Sequence, residues 1–555
     1  MRKISVGISI WLSFVLLGAA TQQPHAAEND RIQDGTRELS LAPLIEGELL
    51  WNTFLGCVAG DTGSSVAVDT SGNTYVTGTS MGTWGAPIRA HSGVQDAFVA
   101  KFDCGGSLLW NTFLGGENVD NGIGIAVDPN GDVYVTGSSY ATWGSPIRPF
   151  PVGGGAFVAK LSGGGSLVWN TFLEYSDGGG VAVDTSGNVY VTGTSSYTWG
   201  SPIRAFSGNG DAYVAKLDGG GSLLWNTFLG SGGPDVSSGT DWGTGIACDG
   251  SGNAYVVGES RDPWGSPIQG FSGGFADAFV AKLSVSGSLL WNTFLGGGDW
   301  DAVRGIAVDG SGNTYVAGWS RSTWGSPTRA YAGGDQDAFA AKLDTGGNLI
   351  WNSFLGGILA DGGTAIAVDG DGNSYVAGIG ESSWGSPIRN FAGDTDAFAA
   401  KLDGSGLLLW NTFLGSNSNY AEDAAGIARG SSGHIYVFGN SQEPWGSPIA
   451  PYNIGSPDAF LAKLAGPQTP GSDVFISSIK ARSAKPGSQA TIYGGGFSKN
   501  ARLNLVYFNG YRARVSSAKT TRLKVTIPTR LKKGIVDVYV VVDGITSNTV
   551  QFQVK

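Results

Sequence analysis

The chain has 555 residues, of which 92 are Gly, 18 are Trp and only 14% are charged, with a formal net charge of −11. So many aromatics with so few charges exclude an intrinsically disordered chain, and Gly without a three-residue period excludes collagen. Gly at this frequency also excludes a mainly helical protein, because each Gly inside a helix costs about 1 kcal/mol.

The chain opens on Arg2 and Lys3, followed by an apolar run from Ile4 to Ala20 and then small residues. This is the pattern of an export signal over residues 1–27, with cleavage expected after Ala20 or Ala27. No later segment approaches the roughly 20 apolar residues of a membrane span. The mature chain is therefore expected to be exported without a transmembrane segment, and to work in the periplasm, on the cell surface or outside the cell. Residues 28–47 read as a linker.

From residue 48 a unit of about sixty residues repeats seven times. Trp-Asn-Thr or Trp-Asn-Ser recurs at Trp51, Trp110, Trp169, Trp225, Trp291, Trp351 and Trp410. A second Trp, followed by Gly, recurs at Trp84, Trp143, Trp199, Trp264, Trp324, Trp384 and Trp445. The unit beginning at Gly305 reads GIAVDGSGNTYVAG, WGSPTRA, DAFAAKLD and GNLIWNSFLGG. Gly, Asn and Asp punctuate four strand-like pieces, as hairpins require. Four antiparallel strands repeated seven times predict an all-β chain with a seven-bladed β-propeller over residues 48–466. The chain enters the repeats on WNTFLG and leaves them on DAFLAKL. The N-terminal strand is thus expected to complete the seventh blade and leave no open edge.

Residues 467–471 read as a second linker, and the charge changes sign there. Residues 28–467 carry 18 Lys and Arg against 42 Asp and Glu; from residue 468 onward the count is 14 against 3. The tail, residues 472–555, alternates apolar and polar residues in short runs such as RLKVTIP and GIVDVYVVVDG, which predicts further strands.

The fixed order of GIAVD, GNxYVxG, DAFVAKLD and GSLLWNTFLGG resembles the bacterial seven-bladed β-propeller (SBBP) repeat across about residues 48–465. The tail has Pro486-Gly487-Ser488 and Gly494-Gly495-Gly496-Phe497 where turns belong, and resembles an IPT/TIG domain, an immunoglobulin-like β-sandwich. The first resemblance implies a propeller in an exported bacterial protein and no particular reaction. The second implies a spacer or interaction module without catalytic residues.

Cys57, Cys104 and Cys248 form no CxxC pair, and only three His are present, so neither a disulfide framework nor a His-rich metal site is expected. Three charged sets repeat around the ring. Asp61, Asp120, Asp177, Asp241, Asp301, Asp361 and Asp423 precede the inner strands, where they could ring the channel mouth. Asp69, Asp128, Asp184, Asp249, Asp309 and Asp369 end those strands. Arg89, Arg148, Arg204, Arg329 and Arg389 follow the Trp-Gly motif, with Gln269 and Ala450 in the other two units. A residue present in every blade is expected to serve the fold, and Asp before Ser-Gly-Asn to bond its own turn. Asp369-Gly-Asp371-Gly-Asn373 has part of a calcium-loop pattern but lacks its later Glu. No cofactor is expected, with calcium at that loop the sole candidate.

The fourteen repeated Trp are expected to anchor the fold. Beyond Trp11 of the signal, Trp242, Trp300 and Trp319 break the repeat. They fall on the long-loop face of blades four and five, near Asp241, Asp299, Asp301, Glu259, Arg304 and Arg321, beside the long loop Ser231–Gly243. Exposed Trp beside carboxylates is a reasonable surface for a glycan or peptide; ordinary packing of an irregular blade is the competing reading. The expectation is a monomeric, non-enzymatic binding or scaffold protein with a protein or glycan partner. The alternative is a polysaccharide-acting hydrolase or lyase using carboxylates such as Asp299 and Asp301. No GxSxG, HExxH or P-loop motif supports an enzyme. Nucleic acid is not an expected partner, since phosphate binding needs a basic surface. The basic tail is expected to meet either anionic envelope polymers or the acidic propeller.

Overall fold

In each unit the β-branched and aromatic runs become strands, and the Gly-rich punctuation becomes hairpin turns. The computed structural model describes residues 45–555 apart from 175, 233–239, 418–419, 454–456, 468–473, 481–482, 543–544 and 548. The expected export signal and nearly all of both expected linkers lie outside the described residues.

The fifth unit shows the construction. Strands Asp301–Val308, Thr314–Ser320, Asp337–Leu343 and Leu349–Leu355 pair antiparallel in chain order. The first runs farther than the GIAVD piece alone, because a β-bulge between Val303 and Gly305 lets it begin four residues earlier. The turn after it closes with the Gly312 N–H donating to the Asp309 carbonyl at 2.9 Å, and Gly312 sits at φ +83°, where a side chain would be strained. Six blades repeat this order within one unit each. The seventh takes Glu422–Arg429, Ile435–Ser441 and Asp458–Leu464, and receives Leu49–Leu55 from the other end of the propeller as its outermost strand. The ring is thereby closed by its N-terminal strand.

First strands of all seven blades line a central channel. Small residues let them approach: a Cβ on Gly305 would stand 2.7 Å from the Ala365 Cα of the next blade. The core lies between successive sheets, with Tyr315, Phe339 and Phe354 fully buried in this region. Trp324, 5% exposed, meets Phe339 edge-on at 5.1 Å, and its carbonyl accepts the Asn352 side-chain amide at 2.8 Å. Trp291 of the other motif reaches the next blade, donating from Nε1 to the Thr345 carbonyl at 3.2 Å. Trp291 thus bonds across to the next blade, while Trp324 braces its own blade and joins the core shared with Val280 and Leu295 of blade four.

The C-terminal strands run from Phe475 to Val554 as one continuous curled sheet. Strand Tyr511–Lys519 joins its two halves, pairing first with Asn504–Phe508 and then with Arg522–Thr526. The halves enclose one apolar core that includes Ile492, Phe508, Leu523, Val538 and Phe552.

Candidate functional site

The repeated charges are held by the fold. Asp309 accepts the N–H groups of Ser311 and Asn313 at 2.9 Å, the Asn313 amide at 2.8 Å and the Tyr315 hydroxyl at 3.3 Å. Burial works against its charge, yet these donors hold the carboxyl below its ordinary range. Asp369 is committed in the same way, to the N–H groups of Asp371 and Asn373, the Asn373 amide and the Tyr375 hydroxyl. Both carboxylate oxygens of this part-calcium pattern therefore serve their own turn. Among the described residues no cluster of three or more His, Cys, Asp or Glu is arranged for a metal ion.

The other acidic set does not ring the channel mouth. Asp61, Asp120, Asp241, Asp301 and Asp361 are at most 1% exposed and lie between neighbouring blades. Pairing register corrects two members of the set. In blade three Ser176 stands opposite Ser195, where the other blades put this Asp, and Asp177 is exposed. In blade seven the equivalent is Glu422, fully buried opposite Ser441, while Asp423 accepts the Asn440 amide.

Each buried carboxylate faces a second one, which begins the third strand of the preceding blade. A Cβ on Gly356 would stand 2.8 Å from Asp337 Oδ1 and 2.9 Å from Asp361 Oδ2. Asp96 with Asp120, Asp211 with Asp241, Asp277 with Asp301, Asp396 with Glu422 and Asp458 with Asp61 repeat this arrangement. Burial first, and the neighbouring acid after it, pushes Asp277 and Asp458 up to about 7. At four seams the repeated Arg lies alongside. Arg329, for example, donates from its two terminal nitrogens to the Phe354 and Gly356 carbonyls, both at 2.8 Å. The seams of Asp277 and Asp458 are those where Gln269 and Ala450 replace that Arg.

The repeat-breaking aromatics form a continuous ridge across blades four and five. Trp242, Trp300 and Trp319 are all half-buried. Trp300 meets Trp319 edge-on at 4.9 Å and Phe275 at 4.7 Å. Arg261 lies between Phe275 and Trp242, 4.5 and 4.9 Å from their ring centres, and Arg321 lies 5.3 Å over Trp300. Beneath the ridge is Glu259, 4% exposed and directly across from Trp242 in the strand pair. Its carboxylate accepts the Trp300 indole N–H at 3.1 Å and pairs with Arg304 at 2.5 Å. Arg304 is the one charged residue among the described lining of the channel.

Of the nine residues expected here, Trp242, Trp300, Trp319, Glu259, Arg304 and Arg321 come together in this network. Asp299 is exposed beside it. Asp241 and Asp301 do not reach the surface; both are fully buried in the inter-blade seams. Burial pushes them up to about 8 and about 6, against hydrogen bonds from Ser260 to Asp241 and from Ser320 to Asp301. Asp299 and Asp301 therefore do not offer two carboxylates to one cleft. Sequence reasoning missed Arg261 and Phe275. The signal was present: Phe275 is an aromatic at a loop position where the next unit has Asp335.

Seven four-stranded sheets around a channel, followed by a curled sandwich-like sheet, define a β-propeller with an appended immunoglobulin-like module. Comparison with known families is specific. The SBBP β-propeller repeat matches residues 109–142, 171–198, 225–262 and 295–323, and the IPT/TIG domain matches residues 475–554. The chain carries SBBP repeats and a C-terminal IPT/TIG domain. An uncharacterised WD repeat-containing protein of Acanthamoeba polyphaga mimivirus is 23% identical over 485 residues, covering 67% of this chain and 34% of that protein. The regulatory protein FlaEY of Caulobacter vibrioides is 25% identical over 370 residues, covering 60% and 38%. The chain thus spans little more than a third of the length of these curated relatives. Among solved structures, hydrazine synthase of Kuenenia stuttgartiensis aligns at 11% identity and a TM-score of 0.40, over 68% of this chain and 92% of that one. The Dos1 propeller aligns at 12% and 0.37, over 76% and 96%.

Proposed function

We propose that this is an exported, non-enzymatic recognition protein that holds a glycan against the ridge of blades four and five. One observation carries the reading: the aromatics that break the repeat form a single connected ridge on one end of the propeller. Sugar rings present apolar C–H faces that stack on indole and phenyl groups, while Arg321, Arg261 and Asp299 provide donors and an acceptor for hydroxyls. Glu259 fixes the Trp300 indole from below, so the ridge is set before a ligand arrives. The IPT/TIG domain serves as a spacer or second contact.

A glycan array tests this reading. The wild-type chain is expected to bind a definable set of glycans. Trp300→Ala and Trp242→Ala should each weaken that binding about tenfold, the equivalent of about 1.4 kcal/mol. Absence of binding, or unchanged binding in both variants, rejects the proposal.

A further inference from the structure

The seam between blades two and three differs from the other six. The outermost strand of blade two runs on to Glu174, and blade three begins at Ser176. Elsewhere five or more residues bridge this step, as Gly115–Val119, Gly296–Trp300 and Gly356–Ala360 do. The buried acid pair is missing as well: Gly155 and Ser176 stand where the other seams have two carboxylates. Arg148, deprived of that pair, forms an ion pair with Glu174 at 2.9 Å. The third strand is approached through Gly153-Gly154-Gly155, which add no side chains to fill the space.

A cleft of about 350 Å³ opens at this seam. Tyr140 and Tyr197 stand on it, 51% and 62% exposed, with Val152 at the rim, 91% exposed. Ser176 and Thr194 add hydroxyls to the lining. Asp177 also lines it: the register shift that removes an acid from the seam places one on the cleft instead. Among the described residues lining the cleft there is no Lys, Arg or His.

We infer that this cleft is a binding site for a neutral sugar residue, with Tyr140 and Tyr197 as stacking surfaces and Asp177 as acceptor for hydroxyl protons. The volume falls within the range of small-molecule sites. Exposed aromatic rings suit the apolar faces of a pyranose. With Asp177 as the one carboxylate and no Lys, Arg or His among its described lining, the cleft disfavours anionic ligands and accepts hydroxyl protons. Among the described residues this seam lacks the acid pair that the other seams hold, and the cleft opens where that pair would stand. This site is separate from the aromatic ridge and does not rest on it.

The test is saturation-transfer NMR with the full chain and methyl glycosides of glucose, galactose, mannose and N-acetylglucosamine, followed by titration. At least one glycoside is expected to receive saturation on its ring protons. Tyr140→Ala and Tyr197→Ala should each weaken its binding roughly tenfold, and Asp177→Asn should weaken it several-fold. Trp300→Ala should leave it unchanged. A cooperative melting transition for each variant, measured beside the wild type, establishes that it is folded. No saturation transfer to any glycoside, binding that survives both Tyr replacements, or binding lost in Trp300→Ala overturns the inference.

Discussion

Heating at pH 5 should unfold the propeller at a higher temperature than heating at pH 8. The cause is the set of buried acid pairs between blades. Burial pushes Asp120, Asp301 and Asp337 up to about 6, Asp277, Asp361, Glu422 and Asp458 to about 7, and Asp241 to about 8. An unfolded chain leaves these groups near their ordinary values of about 4. The folded protein therefore holds more protons than the unfolded one between about pH 4 and pH 8. The stability they contribute is fully present at the acid end of that window and is lost as the pH rises through 6 to 8. One such unit is worth about 1.4 kcal/mol per group. Asp277 Oδ1 and Asp458 Oδ1 are buried without a hydrogen-bond partner, and a proton held on either pair would serve them. Below this window the trend reverses, because the turn carboxylates of Asp184, Asp249, Asp309 and Asp369 are held below their ordinary range and protonate there. His434, lowered by burial to about 4, opposes the main trend between about pH 6.5 and pH 4, as one group against the eight raised carboxyls. Asp277→Asn and Asp458→Asn replace the shared proton with an amide donor at the two seams that lack Arg. Each should raise the melting temperature at pH 8 and flatten its pH dependence. A melting temperature that rises from pH 5 to pH 8 would contradict this account.

The second large effect is expected at the closing strand. In Leu49–Leu55, Asn52, Thr53, Phe54 and Leu55 are at most 4% exposed. Phe54 packs edge-on against Trp445 at 6.1 Å and Tyr452 at 5.5 Å, and the Asn52 amide donates to the Trp445 carbonyl at 2.9 Å. Phe54→Ala should cost about 3–5 kcal/mol, a large share of the roughly 5–15 kcal/mol that holds a typical domain. Removing residues up to Leu55 should cost more, because it also bares the edge of strand Asp458–Leu464 to solvent and to other chains. Urea denaturation should show a lower midpoint for Phe54→Ala, and light scattering should show association of the truncated chain. A peptide spanning residues 43–56, added in trans, should restore part of the loss. Equal midpoints for wild type and Phe54→Ala would mean that the strand does not close the ring.

The strands and the closure were legible in the sequence because they rest on local signals: apolar runs, turn residues, and the order of motifs at the two ends. The acid ring was not fully legible. Asp177 and Asp423 sit one position from the register of the other blades, and only strand pairing reveals Ser176 and Glu422 in their place. The site was legible in part for a related reason. Asp241 and Asp301 are chain neighbours of Trp242 and Trp300, yet successive residues along extended chain point to opposite sides. One of each pair is therefore buried in a seam while the other joins the ridge. Phe275 does stand out by residue type, as an aromatic where the next unit has Asp335, but Arg261 aligns with Arg321 of the next unit, and the contact between Arg261 and Phe275 comes from loops that meet only in the folded ring.

The central claim is that recognition belongs to the residues that break the seven-fold repeat. Hydrogen-exchange mass spectrometry, with and without the glycan identified on an array, tests it most directly. The account predicts new protection in peptides containing Trp242, Glu259 to Arg261, Phe275, Trp300 and Trp319 to Arg321, all on one end of blades four and five. Protection confined to the opposite end, at the turns after Asp69, Asp128, Asp184, Asp249, Asp309 and Asp369, or spread equally over all seven blades, would contradict it.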